Sequence, residues 1–459
     1  MSRLRFTITL SVTVVLAAAV AAQAATGIQA CVPTRSASAF LTPNHGKCKK
    51  GYKLTSLGGK PGAEGRTGPA GPAGPAGKQG SEGSSEFTPQ QREALKQLLP
   101  HLAFIASGVG GKPTIQFSGV NVQVVSGAGK TEIINGEGNL VIGYDEDNAG
   151  AEQTGSNNLV LGEEQAFTSY GGIVAGFEDS IKAPFASVTG GEYNRATGQN
   201  SSISGGEANT AGGPVASIAG GEGNSASGGD SSIAGGKANV TEDADSSVGG
   251  GIGDLASGEG ASVSGGKDST ADAIGAWVGG GRDNLASGEY GAVSGGQEDH
   301  AEGPLASVGG GAVNKATGVF SSVGGGTGNL ASAEYASVSG GKDSTADALA
   351  AWVGGGLANL AAGEFSSVSG GTVNHATGGY ASVTGGTKGV ASGAWASVTG
   401  GEEGSASERG AAVSGGYENL ASGLNSWVGG GRKNVASAGD ASVFGGLEIT
   451  AKNEFEAAP

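Results

Sequence analysis

Aromatic side chains recur at two fixed places of a repeated sequence, and among the residues of this chain they are the best suited to bind a ligand. The first set stands directly before a valine and comprises Trp277, Trp352 and Trp427. The second set lies further along the repeat and includes Tyr290, Tyr335, Tyr380 and Trp395. Aligned exposed rings form apolar patches that bind glycans or proteins. We predict a ligand stripe here; the open alternative is that the rings fill grooves between chains or between neighbouring repeats.

Side chains with catalytic potential are scattered. The histidines are His45, His101, His300 and His375, none of them close to another in sequence. We find no nucleophile-elbow pattern, no phosphate-loop lysine and no specially placed carboxylate pair. Acidic pairs such as Glu298-Asp299 lack the nonapeptide spacing of calcium-binding β-rolls, so we assign them to the surface. The sequence predicts no enzyme, no cofactor and no metal site.

The first residues have the features of an export signal. Arg3 and Arg5 precede an apolar run from Phe6 to Ala22, and Ala22-Gln23-Ala24 fits a cleavage site. We predict a signal peptide over residues 1–24 and an extracellular or cell-surface location. A retained anchor is the alternative, because the apolar run is almost long enough to span a membrane.

A small basic segment over residues 25–58 contains both cysteines, Cys31 and Cys48. In an exported chain two cysteines most simply form one disulfide, which we predict. Ten Lys or Arg precede Glu86 against two Glu, a net charge of +8, and the rest of the chain has −24, which together make −16. The basic segment could contact an anionic cell envelope, although a solvated charge run is the alternative. The acidic remainder repels phosphate, so nucleic acid is not expected as a partner.

A strict 15-residue repeat positions the aromatic residues. An anchor Val or Ile recurs nineteen times from Ile173 to Val443, with Gly three residues later and mostly Asn, or Asp, six residues later. An unbroken short period is typical of a solenoid with one coil per repeat. We predict an all-β parallel β-solenoid over residues 173–451, with the anchors in strands and with Gly and a left-handed Asn at the corners. Residues 107–172 are predicted to form a cap and irregular first coils, and residues 452–459 a tail.

The predicted core is thin. Each coil offers one Val or Ile, one Ala and several Gly. This apolar area is small beside the conformational entropy lost by fifteen residues. We therefore expect three chains to share one axis, each supplying a wall of the core.

A collagen-like segment supports the same number of chains. Every third residue from Gly59 to Gly83 is glycine, as a triple helix requires at its axis. We predict a triple-helical stalk over residues 59–85 and hence a homotrimer; a flexible linker is the alternative.

A short helical neck is predicted over residues 86–106. Thr88-Pro89-Gln90-Gln91 reads as an N-cap with a capping box, and Pro100 should kink or end the helix. Apolar residues follow at helical spacing, namely Leu95, Leu98, Leu99, Leu102 and Ile105. Beyond the neck, Thr114–Phe117 and 121–125 have strand-like sequences.

The repeat resembles the head repeat of trimeric autotransporter adhesins, the YadA-like head. Ser217-Ile218-Ala219-Gly220-Gly221, then Asn224, Ala226 and Gly228, match its Ser, aliphatic, Gly, small polar, Ala and Gly positions in order. The resemblance covers residues 140–443 and implies a left-handed, trimeric parallel β-roll that binds host or matrix surfaces. Two features depart from that family: the unit is one residue longer, and a Gly replaces the second aliphatic. The last residues have neither its coiled-coil stalk nor its membrane strands, so only the head is implied.

We therefore expect an exported homotrimeric fibre that acts as an adhesin-like head on a collagen-like stalk, with a surface glycan or matrix protein as partner. A non-adhesive structural fibre of the cell envelope or spore coat is the second possibility. A phage-type trimeric fibre is a third, which the export signal disfavours. An ice-binding solenoid would need an unbroken Thr array, which the positions beside the anchors lack.

Overall fold

The computed structural model describes residues 28–34, 42, 47–57, 87–146 and 150–459. The chain divides into two units, Met1–Gln123 and Val124–Pro459. The predicted signal peptide (1–24) and collagen-like segment (59–85) lie outside the described residues, and so does His45.

The N-terminal unit contains an antiparallel hairpin of two strands, β1 (Ile28–Pro33) and β2 (Tyr52–Leu57). Cys31 lies in β1 and forms a disulfide with Cys48, with 5.6 Å between the two Cα atoms. Cys31 is buried. The covalent link therefore joins β1 to the segment that leads into β2.

Helix α1 (Pro89–Leu98) begins where the capping box predicted it. The Gln91 N–H donates to the Thr88 Oγ1 at 3.3 Å, and the Thr88 N–H donates to the Gln91 Oε1 at 2.8 Å. The α-helix ends before Pro100, which lies in a 3₁₀ turn, Leu99–His101. The prediction that Pro100 ends the regular helix is confirmed, because proline has no N–H to continue the ladder.

The apolar pattern after Pro100 does not continue the helix. Residues 102–105 form strand β3 (Leu102–Ile105), antiparallel to β4 (Thr114–Phe117), with a 3₁₀ turn, Val109–Gly111, between them. The assignment of Leu102 and Ile105 to a helical face was therefore wrong: strand pairing supplies their backbone hydrogen bonds. The prediction of β4 is confirmed.

The second strand-like run, residues 121–125, is not a strand in the structure. Val122, Val124 and Val125 are exposed, and the run pairs with no strand of the described chain. Its β-branched composition alone is not sufficient, because a strand also needs a pairing partner.

The C-terminal unit is a parallel β-solenoid of about 21 turns. Two strand ladders and one ladder of single bridges run along it. The anchor ladder, which contains the anchors, consists of Leu140–Ile142, Leu159–Glu163, Ile173–Phe177, Ser187–Val188, Ser202–Ile203, Ser217–Ile218, Ser232–Ile233, Ser247–Val248, Ser262–Val263, Trp277–Val278, Ala292–Val293, Ser307–Val308, Ser322–Val323, Ser337–Val338, Trp352–Val353, Ser367–Val368, Ser382–Val383, Ser397–Val398, Ala412–Val413, Trp427–Val428, Ser442–Val443 and Ala457–Ala458. In its regular part, each strand pairs in parallel with the strand fifteen residues away.

The alanine ladder is the second strand ladder, and most of its strands end in a buried Ala. It consists of Ala166–Phe167, Ser180–Ile181, Arg195–Ala196, Thr210–Ala211, Ser225–Ala226, Val240–Thr241, Leu255–Ala256, Thr270–Ala271, Leu285–Ala286, His300–Ala301, Lys315–Ala316, Leu330–Ala331, Thr345–Ala346, Leu360–Ala361, His375–Ala376, Val390–Ala391, Ser405–Ala406, Leu420–Ala421, Val435–Ala436 and Thr450–Ala451. The bridge ladder joins single residues four past each anchor from Glu192 to Leu447, and it begins at Phe177 in the shorter first coil. Each coil therefore contacts its neighbours along three lines.

The first coils are shorter than the predicted repeat. Val174, not Ile173, pairs with Val188 and is fully buried, whereas Ile173 pairs with Ser187 and is 37 % exposed. The prediction of an anchor at Ile173 was wrong, because this coil has one residue fewer than the repeat. The missing residue lies between Val174 and Gly176. One residue of shift exchanges the inward and outward sides of a strand, so the buried position moves to Val174.

Residues 452–459 are not a separate tail. The strand Ala457–Ala458 pairs in parallel with Ser442–Val443, and Ala458 is 8 % exposed. The assignment of a tail was therefore wrong, because these residues extend the anchor ladder by one more strand.

The core of the solenoid closes within one chain. The anchors from Val174 to Val443 are 0–1 % exposed, and so are the alanines of the alanine ladder from Ala196 to Ala451. The expectation that other chains must supply walls of this core was therefore wrong. The prediction of a trimer then depends on the segment 59–85 and on the leucines of α1.

Candidate functional site

One face of the solenoid has no charged side chain. We call it the uncharged face, and define it as the residues immediately before and after each anchor, from Ser187 to Phe444. Because side chains alternate along a strand, these residues point outward when the anchor points inward. They are Ser, Thr, Ala, Gly, three Trp and one Phe. By contrast, the bridge ladder has Glu222 and Lys237 in adjacent coils, with 2.6 Å between Oε1 and Nζ.

The three tryptophans of the uncharged face are held in one orientation. The Nε1–H groups of Trp277, Trp352 and Trp427 donate to serine hydroxyls of the preceding coil at 3.3, 3.1 and 2.9 Å. These hydroxyls belong to Ser264, Ser339 and Ser414. Each indole therefore reaches across its own strand toward the position that follows the anchor.

A glycine makes room for each indole. A Cβ added to Gly279 would lie 2.9 Å from Cη2 of Trp277, and Gly354 and Gly429 stand in the same relation to Trp352 and Trp427. Any larger side chain there would displace the ring. The sequence contains this signal as a Trp-Val-Gly-Gly-Gly that begins at Trp277, Trp352 and Trp427.

Trp277 and Trp352 are open to solvent. They are 39 % and 38 % exposed. Trp427 is less exposed, since Phe444 of the next coil contacts it edge-on at 5.4 Å between ring centroids. Shallow grooves lined by small residues run along the same face, one over Ser202–Ser264 and one over Ala292–Ser339, between Trp277 and Trp352.

The second aromatic set lies at a corner of the coil, not on the uncharged face. Its residues have positive φ, such as 54° at Tyr290 and 57° at Tyr335. Tyr380 stacks on Phe365 at 5.0 Å and on Trp395 at 5.6 Å.

A second stack and a cation–π contact lie at the same corner. Tyr335 stacks on Phe320 at 5.1 Å, and the Arg409 guanidinium lies 4.8 Å from the Trp395 centroid. Rings that stack in this way join neighbouring coils, although Tyr290, Tyr335, Tyr380 and Trp395 remain 52–56 % exposed. The structure therefore divides the predicted stripe into a tryptophan set on the uncharged face and a corner set in which several rings stack on one another.

A ladder of buried amides runs through the core at the position six past each anchor. Its members are 0–1 % exposed and comprise Asn194, Asn209, Asn224, Asn239, Asn284, Asn314, Asn329, Asn359, Asn374, Asn419 and Asn434. The Asn209 Nδ2–H₂ group donates to Gly205 O of its own coil at 3.2 Å and to Gly221 O of the next coil at 3.0 Å. The Asn209 Oδ1 accepts from the Asn224 N–H at 3.0 Å.

The prediction that these Asn residues occupy left-handed corners was wrong. The residue with a left-handed backbone is the one before each Asn, such as Ala208 with φ 56° before Asn209. The second corner lies seven residues after the first, as at Val215 with φ 61°. The Asn side chain instead points into the core, because its amide can satisfy backbone groups of two coils at once.

Three aspartates replace Asn in the amide ladder. Asp179, Asp254 and Asp299 are fully buried. The Oδ1 atom of each accepts an N–H bond from the next coil at 2.7–2.9 Å, whereas no Oδ2 atom of the three has a hydrogen-bond partner. Burial raises the pKa of Asp179 to about 6 and also raises the pKa values of Asp254 and Asp299.

The described residues contain no group of three His, Cys, Asp or Glu side chains that could hold a metal ion. His300 and His375 lie on the alanine ladder five coils apart, and His101 is in the N-terminal unit. In the described ranges no helix has the length and apolarity that crossing a bilayer requires.

No protein-family model matches this chain. A search of curated proteins also finds no significant sequence match. The geometry of the uncharged face therefore has to carry the functional conclusion.

Proposed function

We propose that this chain is an exported fibrous surface protein whose solenoid is an adhesin-like binding head. The observation that carries the proposal is the pair of open indoles, Trp277 and Trp352, fixed on the uncharged face. Indole faces pack on the C–H faces of sugars and on apolar protein side chains. Serine hydroxyls around them offer hydrogen bonds, and the absence of charge favours a neutral ligand such as a glycan.

The proposed assembly is a homotrimer that resembles the YadA-like head. Its support is now the glycine period of residues 59–85 together with helix α1. No side chain of α1 is buried, and Leu95, Leu98 and Leu99, which directly follows the helix, are 37–55 % exposed. Three copies of α1 would cover these leucines and align the chains.

Sedimentation of the full-length protein tests this assembly. We expect three chain masses. Changing Leu95 and Leu98 to Ser should weaken the trimer, because polar side chains remove the apolar area that the copies bury. Arg92→Ser on the same helix is the control and should leave the trimer intact. A monomeric wild type would contradict the homotrimer.

The proposed location is extracellular or at the cell surface, as the signal-like residues 1–24 indicate. The basic segment 25–58 would rest on an anionic envelope, and nucleic acid is not a proposed partner. We propose no catalytic activity for the chain.

Binding of the recombinant protein to glycan panels and to matrix proteins such as collagen tests the adhesive role. Trp277→Ala and Trp352→Ala should each weaken binding by about tenfold, since each removes one ring-stacking contact. Trp395→Ala is the control, because it removes an equally large indole from the stacked corner and should leave affinity unchanged.

A structural fibre is the second candidate, and the small outward side chains of the uncharged face favour it, because they allow another chain to approach closely. If the wild type binds no probe and the rods associate side by side, the adhesive role is wrong. If Trp395→Ala weakens binding as much as Trp277→Ala, the binding surface is the corner and not the uncharged face.

A further inference from the structure

We infer that Asp179, Asp254 and Asp299 are three buried proton-binding positions: the solenoid folds around neutral carboxylic acids there, and these coils loosen as the surroundings become less acidic. This inference does not depend on the proposed adhesive role.

The geometry shows that each aspartate imitates an asparagine. In a typical coil, a Cβ added to Gly206 would lie 2.7 Å from the Asn209 Nδ2. In the aspartate coils, a Cβ on the equivalent glycine, such as Gly251, would instead meet the Asp254 Oδ2. The Oδ2 atom therefore occupies the place of the amide nitrogen.

The amide nitrogen at this place is a donor to two backbone carbonyls. Asn239, in the coil before Asp254, donates to Gly235 O at 2.9 Å and to Gly251 O at 3.2 Å. At the aspartate positions a carboxylate oxygen cannot donate, so it would face the equivalent carbonyl oxygens as a third acceptor. A protonated carboxyl can donate one hydrogen bond to a carbonyl, which restores one of the two bonds that the amide makes.

The surroundings also disfavour a negative charge. Burial is the largest cause that raises the pKa values of Asp179 and Asp254, and the hydrogen bonds from Asn194 and Ser269 oppose it. The nearby carboxylates of Glu192 and Asp268 raise the two pKa values further. His300 lies near Asp299 and acts in the opposite direction when it is charged. None of the three aspartates forms an ion pair among the described residues.

The direction of the pH effect follows from proton linkage. Asp179 has an ordinary pKa of 3.8 and a pKa of about 6 in the folded chain. Between these values the folded state retains a proton that the unfolded state loses, so stability falls as the pH rises through this window. Above about pH 6 the local folding equilibrium constant of the Asp179 coil is lower than at acidic pH by a factor on the order of 100.

Hydrogen exchange of the full-length protein tests this device coil by coil. The reporter amides are those of Asn194, Ser269 and Asn314, which donate to the three aspartates. The amides of Asn224 and Asn329 donate to asparagines and serve as internal controls. From pH 4.5 to pH 8 we expect the protection factors of the reporter amides to fall at least tenfold relative to the controls.

Substitution separates the proton from other pH effects. Asp179→Asn, Asp254→Asn and Asp299→Asn together should remove the relative fall, because the amide donates at every pH. The control variant changes three exposed aspartates, Asp230, Asp245 and Asp343, to Asn, and it should keep the fall. Equal protection ratios at both pH values in the wild type would overturn the inference, and so would a fall that persists in the buried triple variant.

Discussion

Replacing Gly206 with alanine is expected to destabilise the solenoid by roughly 3–6 kcal/mol, from backbone strain and overpacking together. Gly206 has φ 91°, which side-chain-bearing residues rarely adopt. The added Cβ would also collide with the backbone oxygen of Gly221 in the next coil and would lie 2.7 Å from the Asn209 Nδ2. Neither neighbour can move without breaking the contact between coils.

The preceding glycine provides a matched control. A Cβ at Gly205 would meet nothing closer than the Gly190 O at 3.9 Å. Gly205→Ala should therefore change stability by less than about 1 kcal/mol, in either direction. Thermal unfolding and hydrogen exchange of the surrounding coils measure both variants. Similar losses for the two substitutions would show that the coils do not stack at the spacing described.

Replacing Asn209 with alanine is expected to cost about 2–6 kcal/mol, since each of two polar groups left without a partner costs about 1–3 kcal/mol. These groups are the Gly205 O and the Asn224 N–H, whereas the Gly221 O also accepts from the Glu207 N–H and keeps that bond. The effect should be local, because the stability of a repeat protein is approximately a sum over neighbouring coils. Protection from exchange should therefore fall most at Asn224 and its neighbours.

Gln199→Ala is the control for the amide ladder, because Gln199 is exposed and its side chain points away from the core. It should leave stability within about 0.5 kcal/mol of the wild type. The chain itself interrupts the ladder at Gly389, whose N–H still donates to the Asn374 Oδ1 at 2.8 Å. An Asn209→Ala variant as stable as Gln199→Ala would mean that the amide ladder is not a stabilising element.

The fifteen-residue period was sufficient to predict the solenoid and the inward side of its strands. Val188 and each later anchor to Val443 are buried as predicted. The capping box at Thr88 was also readable, because its donors and acceptors lie within four residues of one another. Local patterns of this kind are predictable from sequence, since the interacting groups are near neighbours along the chain.

The errors arose where the function of a residue depends on the coil above or below. Asn209 was assigned to a corner, yet its partners include Asn194 and Asn224, each fifteen residues away. Ile173 was taken as an anchor because Gly176 lies three residues after it, as in every regular coil. The residue missing after Val174 produces this coincidence. A side chain cannot be assigned to the inside or outside of a strand until its pairing register is known.

The tryptophans illustrate the same division. The sequence placed Trp277, Trp352 and Trp427 one residue before an anchor, and hence on an outward position. Only the stacking of coils decided which residues surround each indole. A serine of the preceding coil, such as Ser264, accepts the indole N–H, and a glycine fifteen residues later, such as Gly279, leaves space for the ring.

The sequence by itself therefore determined that the chain repeats, that Val, Ile and Ala at fixed positions form the apolar core, and that the positions beside the anchors have no charge. These properties follow from period and composition, because identical coils stack only when their lengths are equal. The tertiary structure decided which aromatic rings stack on one another and which residue turns each corner. It also placed three carboxyl groups where an amide donor belongs. Each of these depends on contacts between coils, where a shift of a single residue reverses the direction of every side chain.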